Sequence, residues 1–273
     1  MSPPVEPKAP QSNAPSAVGW TAETLAADPH ARDDKAERVQ GMFGAIARRY
    51  DLNNRLHSFG LDQLWRRTAV RLAAVGRESD VVDVACGTGD LTEAFASAGV
   101  RSVLGIDYTP QMLDLARLKS DRLTRRAQAR QRPRPGPEPT YREGDATRLD
   151  LPDACADVVS IAFGIRNVSD PAKAIAEFRR ILRPRGRLVV LEFSEPANPL
   201  LRWGNRVYCR HIMPCTATLI ARDRSGAYKY LPRSVETFLT PERLADLVRS
   251  AGFSGVDQFP LTFGVCTVTV GRV

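Results

Sequence analysis

Four short segments carry residue types that could bind a small molecule and act on it. Each follows an apolar run. The first is Asp83-Val84-Ala85-Cys86-Gly87-Thr88-Gly89-Asp90. Gly87 and Gly89 permit a sharp turn and a close backbone approach that a side chain would block. The second is Asp107, which closes the run 102–107 and lies 18 positions after Gly89. A carboxylate there can accept hydrogen bonds from both hydroxyls of a ribose. The third is Asp145-Ala146, a carboxylate placed for an adenine amino group with a backbone amide beside it. The fourth, Ala162–Gly164, leads into Arg166 and Asn167, a permanent cation and an amide. Cys209, His211 and Cys215 also lie close together, but a fourth ligand with metal-site spacing is missing, so no metal is expected.

These segments suit an adenosine-bearing cofactor, and the charges discriminate between two of them. The first turn lacks the third glycine of GxGxxG, having Thr92 there, and Asp90 would set a carboxylate beside a dinucleotide pyrophosphate. S-adenosyl-L-methionine has no phosphate and carries a sulfonium and an ammonium, so acids nearby are favourable. The residues therefore predict an S-adenosyl-L-methionine site at Asp83, Gly87, Gly89, Asp107, Asp145 and Ala146.

The elements that must position this site alternate. A helical region over 21–49 places Val39, Met42, Phe43 and Ile46 on one face, and a second helix runs from about Asp62 to Val75. Strands are expected at 81–85, 102–107, 140–142, 157–163 and 187–193, with helices at 91–98, from Pro110, and at 171–183. Segment 196–232 reads as irregular and partly helical. A helix from Pro241 to Gly252, with Thr240 as N-cap, precedes two strands near 255–260 and 265–271. Apolar strands alternating with helices belong in a mostly parallel sheet covered on both faces, and the loop-linked closing pair suggests an antiparallel edge. The fold class is α/β, similar to the Rossmann-like, seven-stranded class I methyltransferase fold.

Other stretches are more specific. Tyr50-Asp51-Leu52-Asn53-Asn54 with Ser58 and Leu64-Trp65, then Ala162–Val168 (AFGIRNV), Leu191–Ser194 (LEFS) and Tyr228–Val235 (YKYLPRSV), resemble the signatures of the ubiquinone/menaquinone biosynthesis C-methyltransferases. The resemblance extends from about residue 39 to the C-terminus. It implies cofactor contacts at Thr88, Asp107, Asp145 and Ala146. It also implies C-methylation of a polyprenylated quinol ring, with demethylmenaquinol converted to menaquinol and a benzoquinol as the alternative acceptor. Asn53, Asp62, His57 and Ala162 depart from the residues usual in that family. In such a reaction Arg166 would stabilise a developing phenolate, since a guanidinium stays protonated and is no base. Tyr50 and Asn167 would orient the ring oxygen or relay its proton through water. The competing reading pairs Arg166 with an acid and packs Tyr50 in a lid. His57 and His211 are alternative proton acceptors. A methyltransferase for another small aromatic and a silent cofactor-binding subunit also stay open. A nucleic-acid amino methyltransferase would need an Asn-Pro-Pro-Tyr-like motif where this chain has Phe163-Gly164-Ile165-Arg166.

Composition adds bounds. The 273 residues, 43% hydrophobic and 26% charged, suit one decorated domain. The expected organisation is a Pro-rich tail over 1–20 and a single domain over 21–273. That domain comprises a helical lid (21–76), a core (77–195), a substrate-side insertion (196–235) and a C-terminal part (236–273). The net charge of +8 is concentrated in a basic, Pro-rich insertion at 117–139, where eight basic residues face Asp121 and Glu138. This is a surface feature and not a nucleic-acid-binding fold. Five cysteines without a CxxC pair fit free thiols in a reducing cytoplasm. No run is long enough to span a bilayer, so the expected location is cytoplasmic, with peripheral membrane contact through Leu200–Ile220 and a homodimer both left open.

Overall fold

The computed structural model describes residues 19–26, 28–221 and 225–273. Most of the tail therefore lies outside the described residues. Its last member, Trp20, is buried and stacks on Tyr230 with ring centroids 4.4 Å apart.

Among the described residues, seven strands form one sheet in the order β3-β2-β1-β4-β5-β7-β6. They are β1 (Asp80–Val84), β2 (Ser102–Asp107), β3 (Thr140–Glu143), β4 (Ala156–Ala162), β5 (Leu182–Phe193), β6 (Ser254–Leu261) and β7 (Cys266–Arg272). The first five are parallel neighbours, and β7 inserts antiparallel between β5 and β6. Consecutive strand residues point to opposite faces, and both faces are apolar. Val82, Val159, Leu188 and Val190 pack on one side with Phe178 and Val248. Val81, Val158, Val189 and Val268 pack on the other with Phe95 and Trp65.

The helices are α1 (Ala22–Ala26), α2 (Lys35–His57), α3 (Leu61–Ala73), α4 (Asp90–Ser97), α5 (Pro110–Ala129), α6 (Pro171–Ile181), α7 (Pro199–Val207), α8 (Met213–Ala221), α9 (Ala227–Thr237) and α10 (Pro241–Ser250). A π-helical turn at Tyr208–Ile212 joins α7 to α8. Helix α10 begins at the expected cap, with Thr240 Oγ1 accepting from the Arg243 amide. The cover over the site has its own core of Val39, Met42 and Ile46 from α2, Met213 and Ala217 from α8, and Tyr228 and Tyr230 from α9.

Two boundaries differ from the sequence reading for physical reasons. Helix α2 runs on through Tyr50–Asn54 to His57, because those polar residues find tertiary partners and not water. Strand β5 starts at Leu182, and a register shift between Ala156 and Val158 absorbs Pro184 and Gly186. Helix α5 carries much of the basic segment. The Pro-rich loop after it is stapled back by Arg134, which pairs with the buried Glu93 and donates to Ser120 and Thr124. Arg122, Arg125, Arg126, Arg130 and Arg132 are exposed, with no ion pair among the described residues.

Candidate active site

The strand order reverses between β1 and β4, the place where open α/β sheets take ligands at the carboxyl ends of their strands. Two cavities adjoin there. The smaller, about 110 Å³, is lined by Gly87 after β1, Asp107 on β2, Asp145 and Ala146 after β3, and Asn167 after β4. The larger, about 290 Å³, is lined mainly by apolar and aromatic side chains of α2, α3 and α9, together with Arg66 and Arg166. Phe43, Tyr50 and Phe163 line both. The two cavities therefore share these three rings as a common wall.

The turn after β1 is built by strain and hydrogen bonds together. Ala85 at the end of β1 and Phe163 after β4 both adopt positive φ, 50° and 57°, which non-glycine residues rarely do outside constrained sites. Gly89 has φ 81°, and a Cβ there would lie 2.6 Å from Tyr141 Oη. Asp107 Oδ2 accepts from the Gly87 amide at 2.7 Å and Oδ1 from the Thr109 amide at 2.8 Å. Burial raises the Asp107 pKa against these amides, and each oxygen keeps lone pairs for hydroxyls in the cavity.

Asp145 is exposed at the rim, its Oδ1 accepting from the Thr147 amide at 2.8 Å. The Ala146 amide beside it has no partner among the described residues. A carboxylate with spare lone pairs next to a free N–H matches the amino group and ring nitrogen of an adenine edge.

Asp83, Thr88 and Gly89 do not line the smaller cavity. Asp83 is fully buried behind the turn, where the hydroxyls of Thr92 and Ser160 donate to it at 2.6 and 2.7 Å. Burial pushes its pKa up to about 6, so it braces the turn from inside. The Thr88 hydroxyl donates to Asp51 of α2 and accepts from Lys119 Nζ at 3.1 Å. Lys119 also pairs with Asp51 at 2.7 Å and with Asp90 at 2.5 Å. This cluster clasps α2 onto the turn. It also corrects the charge argument made from sequence, because Asp90 is already matched by Lys119 and by Arg55 at 3.5 Å.

Of the three candidate catalytic residues, Tyr50 reaches both cavities, Arg166 the larger and Asn167 the smaller. Arg166 is only 3% exposed. Its Nη1 donates to Glu192 Oε1 at 2.6 Å and to the Phe163 carbonyl at 2.8 Å, and its Nε donates to Ser234 Oγ at 3.3 Å. Its Nη2 has no partner among the described residues. Burial raises the Glu192 pKa, and the adjacent guanidinium opposes that. Asn167 Nδ2 donates to the Phe163 carbonyl at 3.2 Å, and its Oδ1 accepts from Tyr230 Oη at 3.0 Å. Tyr50 is half-buried, and burial among apolar groups raises its pKa. Both features of the competing reading are thus present, since Arg166 is paired with an acid and Tyr50 sits in the cover helix.

His57 lines the larger cavity with both ring nitrogens engaged, Nδ1 at 2.9 Å from the Asn53 carbonyl and Nε2 at 2.8 Å from Thr216 Oγ1. It ties α2 to α8. His211 is exposed and lines neither cavity. Two residues that sequence reasoning missed are Glu192, visible only as an acid within LEFS, and Arg66, visible only as the i+4 partner of Asp62.

Residues 31–272 match the profile of the ubiE/COQ5 methyltransferase family. The chain belongs to that family. It is 44% identical over 241 residues to a demethylmenaquinone methyltransferase of Deinococcus radiodurans, covering 88% of this chain and 94% of the relative. It is 46% identical over 231 residues to a demethylmenaquinone methyltransferase of Thermus thermophilus, covering 84% and 99%. A ubiquinone/menaquinone biosynthesis C-methyltransferase of Citrifermentans bemidjiense is 38% identical over 244 residues, covering 89% and 99%. Among solved structures, the [4+2]-cyclase SpnF aligns with TM-score 0.60 at 14% identity, over 87% of this chain and 95% of that one. A methyltransferase of Thermotoga maritima aligns with TM-score 0.55 at 20% identity, over 86% and 99%. At such identities the structural likeness shows the fold alone. Family membership makes the protein an S-adenosyl-L-methionine-dependent methyltransferase, and the residues lining the smaller cavity suit that cofactor.

Proposed function

We propose that this enzyme C-methylates the ring of a polyprenylated quinol, converting demethylmenaquinol to menaquinol. The observation that carries the proposal is the junction at Phe43, Tyr50 and Phe163 between a smaller cavity bearing Gly87, Asp107, Asp145 and Ala146 and a larger, mainly apolar one that Arg166 also lines. The relatives named demethylmenaquinone methyltransferase support naphthoquinol as the acceptor. Relatives whose names carry both quinone types keep benzoquinol as a second reading.

The cofactor, when bound, supplies an electrophilic methyl group on a sulfonium. Asp107, Asp145 and the Ala146 amide hold its adenosine. The aromatic walls of the larger cavity hold the acceptor ring and exclude water. As the hydroxyl of the quinol loses its proton, Arg166 Nη2 donates to the oxygen and stabilises the negative charge that makes the ring carbon nucleophilic. That carbon would take the methyl group while the sulfur keeps the electron pair of the S–C bond, and the ring carbon's proton replaces the one lost from the oxygen held by Arg166 and Tyr50, so that one proton is released overall. Tyr50, whose hydroxyl proton is held more firmly by partial burial, orients the same oxygen by donating to it. The apolar tail leaves along α7, the π-helical turn and α8, where Leu200, Trp203, Ile212 and Leu219 are exposed. No helix among the described residues is long and apolar enough to cross a membrane; the exposed apolar side chains support peripheral bilayer contact. The protein is expected to float with anionic vesicles, and an unbound fraction equal to that of a Leu200→Ser/Trp203→Ser variant would remove this contact.

Turnover tests the central reaction. With labelled S-adenosyl-L-methionine, short-tailed demethylmenaquinol is expected to accept label faster than demethoxyubiquinol. A preference for the benzoquinol would move the assignment to the other pathway.

A further inference from the structure

Arg166 is not the only cation at the larger cavity. Arg66 on α3 also lines it, with a side chain only 8% exposed. Its Nη1 donates to Asp62 Oδ2 at 3.0 Å and to the Asp62 carbonyl at 3.2 Å. Its Nε and Nη2 have no partner among the described residues. Asp62 does not depend on Arg66 alone, because Ser58 Oγ donates to it at 3.0 Å, Gln63 Nε2 at 2.9 Å, and Arg55 lies 3.4 Å away. The ion pair therefore accounts for one nitrogen of the guanidinium and leaves the others unexplained. Neither nitrogen is sealed off from solvent, and Arg66 lines the cavity, so a ligand oxygen there would meet free donors.

The placement of the two cations is paired. The Arg66 guanidinium lies over the Phe163 ring at 5.4 Å, and that of Arg166 over the Phe193 ring at 5.3 Å. The two phenylalanine rings are 4.5 Å apart, and Trp65 packs against both. The cavity wall thus includes an aromatic pair, each ring with its own guanidinium over it. Both cations lie near enough to Tyr50 to favour its ionised form against burial.

We propose that Arg66 binds the ring oxygen of the acceptor remote from the one that Arg166 addresses, so that the site selects rings carrying two oxygens on opposite sides. The proposal rests on the quinol reading above and deepens it. A planar fork with free N–H groups suits a phenolic oxygen, and two such forks fix the ring in its plane and turn one carbon toward the cofactor.

The test is a cycle between enzyme and substrate. Wild type and Arg66→Gln are each assayed with a short-tailed demethylmenaquinol and with its analogue lacking the remote hydroxyl. The ratio of kcat/KM values cancels the intrinsic reactivity of the two rings. Wild type is expected to lose an additional tenfold to hundredfold on the analogue relative to Arg66→Gln. Arg66→Gln should be slowed on the quinol by a similar factor with unchanged cofactor affinity. Equal fractional losses on both acceptors would make Arg66 a purely structural partner of Asp62 and overturn the proposal. Should Arg66→Gln fail to fold, Arg66→Lys keeps the charge beside Asp62 but not the fork. Reduced discrimination in that variant supports the proposal, and wild-type discrimination overturns it. Wild type methylating neither ring would overturn the quinol reading itself, whereas the same ratio between the two rings in wild type and Arg66→Gln overturns only the role of Arg66.

Discussion

An Arg166→Gln variant is expected to lose both turnover and stability, and the double variant Arg166→Gln/Glu192→Gln to regain stability alone. Arg166 and Glu192 pair at 2.6 Å with side chains each 4% exposed. Removing one member of such a buried pair typically costs about 3–5 kcal/mol, because the other charge is left without a partner. Burial already raises the Glu192 pKa, so in the single variant the carboxyl takes up a proton and recovers part of that loss. A glutamine at 192 removes the charge and still accepts from the Phe193 amide, which Glu192 Oε1 now binds at 2.8 Å. The donor aimed at the acceptor oxygen is absent from both variants. Loss of one donor to a developing oxyanion reduces kcat by about 10²–10³. Denaturant unfolding together with single-turnover kinetics separates the two effects. Near wild-type turnover in the double variant would reduce Arg166 to the structural partner of Glu192.

The other large effect concerns the cofactor. Asp107→Asn is expected to raise the dissociation constant for S-adenosyl-L-methionine about a hundredfold or more. Two hydrogen bonds from ribose hydroxyls to a carboxylate contribute about 1.5–3 kcal/mol each. Asparagine has one acceptor oxygen, and its amide N–H₂ would face the Gly87 or the Thr109 amide, donor against donor. Titration calorimetry on the folded variant measures the change. A threefold change or less would mean that the ribose lies elsewhere.

Much of this fold is legible in the sequence because the strands are buried on both faces. Runs such as 157–163 and 187–193 then appear as continuous apolar stretches, and the acids and glycines that end them mark the ligand side of the sheet. Asp107, Asp145 and Ala146 are legible for the same reason, as residues at or just beyond the carboxyl end of a strand. What sequence does not reveal is set by partners far along the chain. Asp90 reads as a bare acid, yet Lys119 and Arg55 neutralise it. Tyr50–Asn54 reads as a polar break, yet Asp51 and Asn53 are bonded to Thr88 and Tyr228, and the helix continues. Asp62 and Arg66 look like an ordinary i,i+4 surface pair, and only the packing of α3 against the aromatic wall brings that guanidinium to the cavity. Asp83 sits in the cofactor motif but serves the turn through Thr92 and Ser160, a role its neighbours in sequence do not disclose.

The most direct measurement follows a ¹³C-labelled methyl group from S-adenosyl-L-methionine into demethylmenaquinol and determines its attachment by NMR. The account predicts a methyl bonded to the ring carbon, formed by the wild type and nearly absent with Arg166→Gln/Glu192→Gln. A methyl bonded to oxygen, or no transfer by an enzyme that binds its cofactor normally, would contradict it.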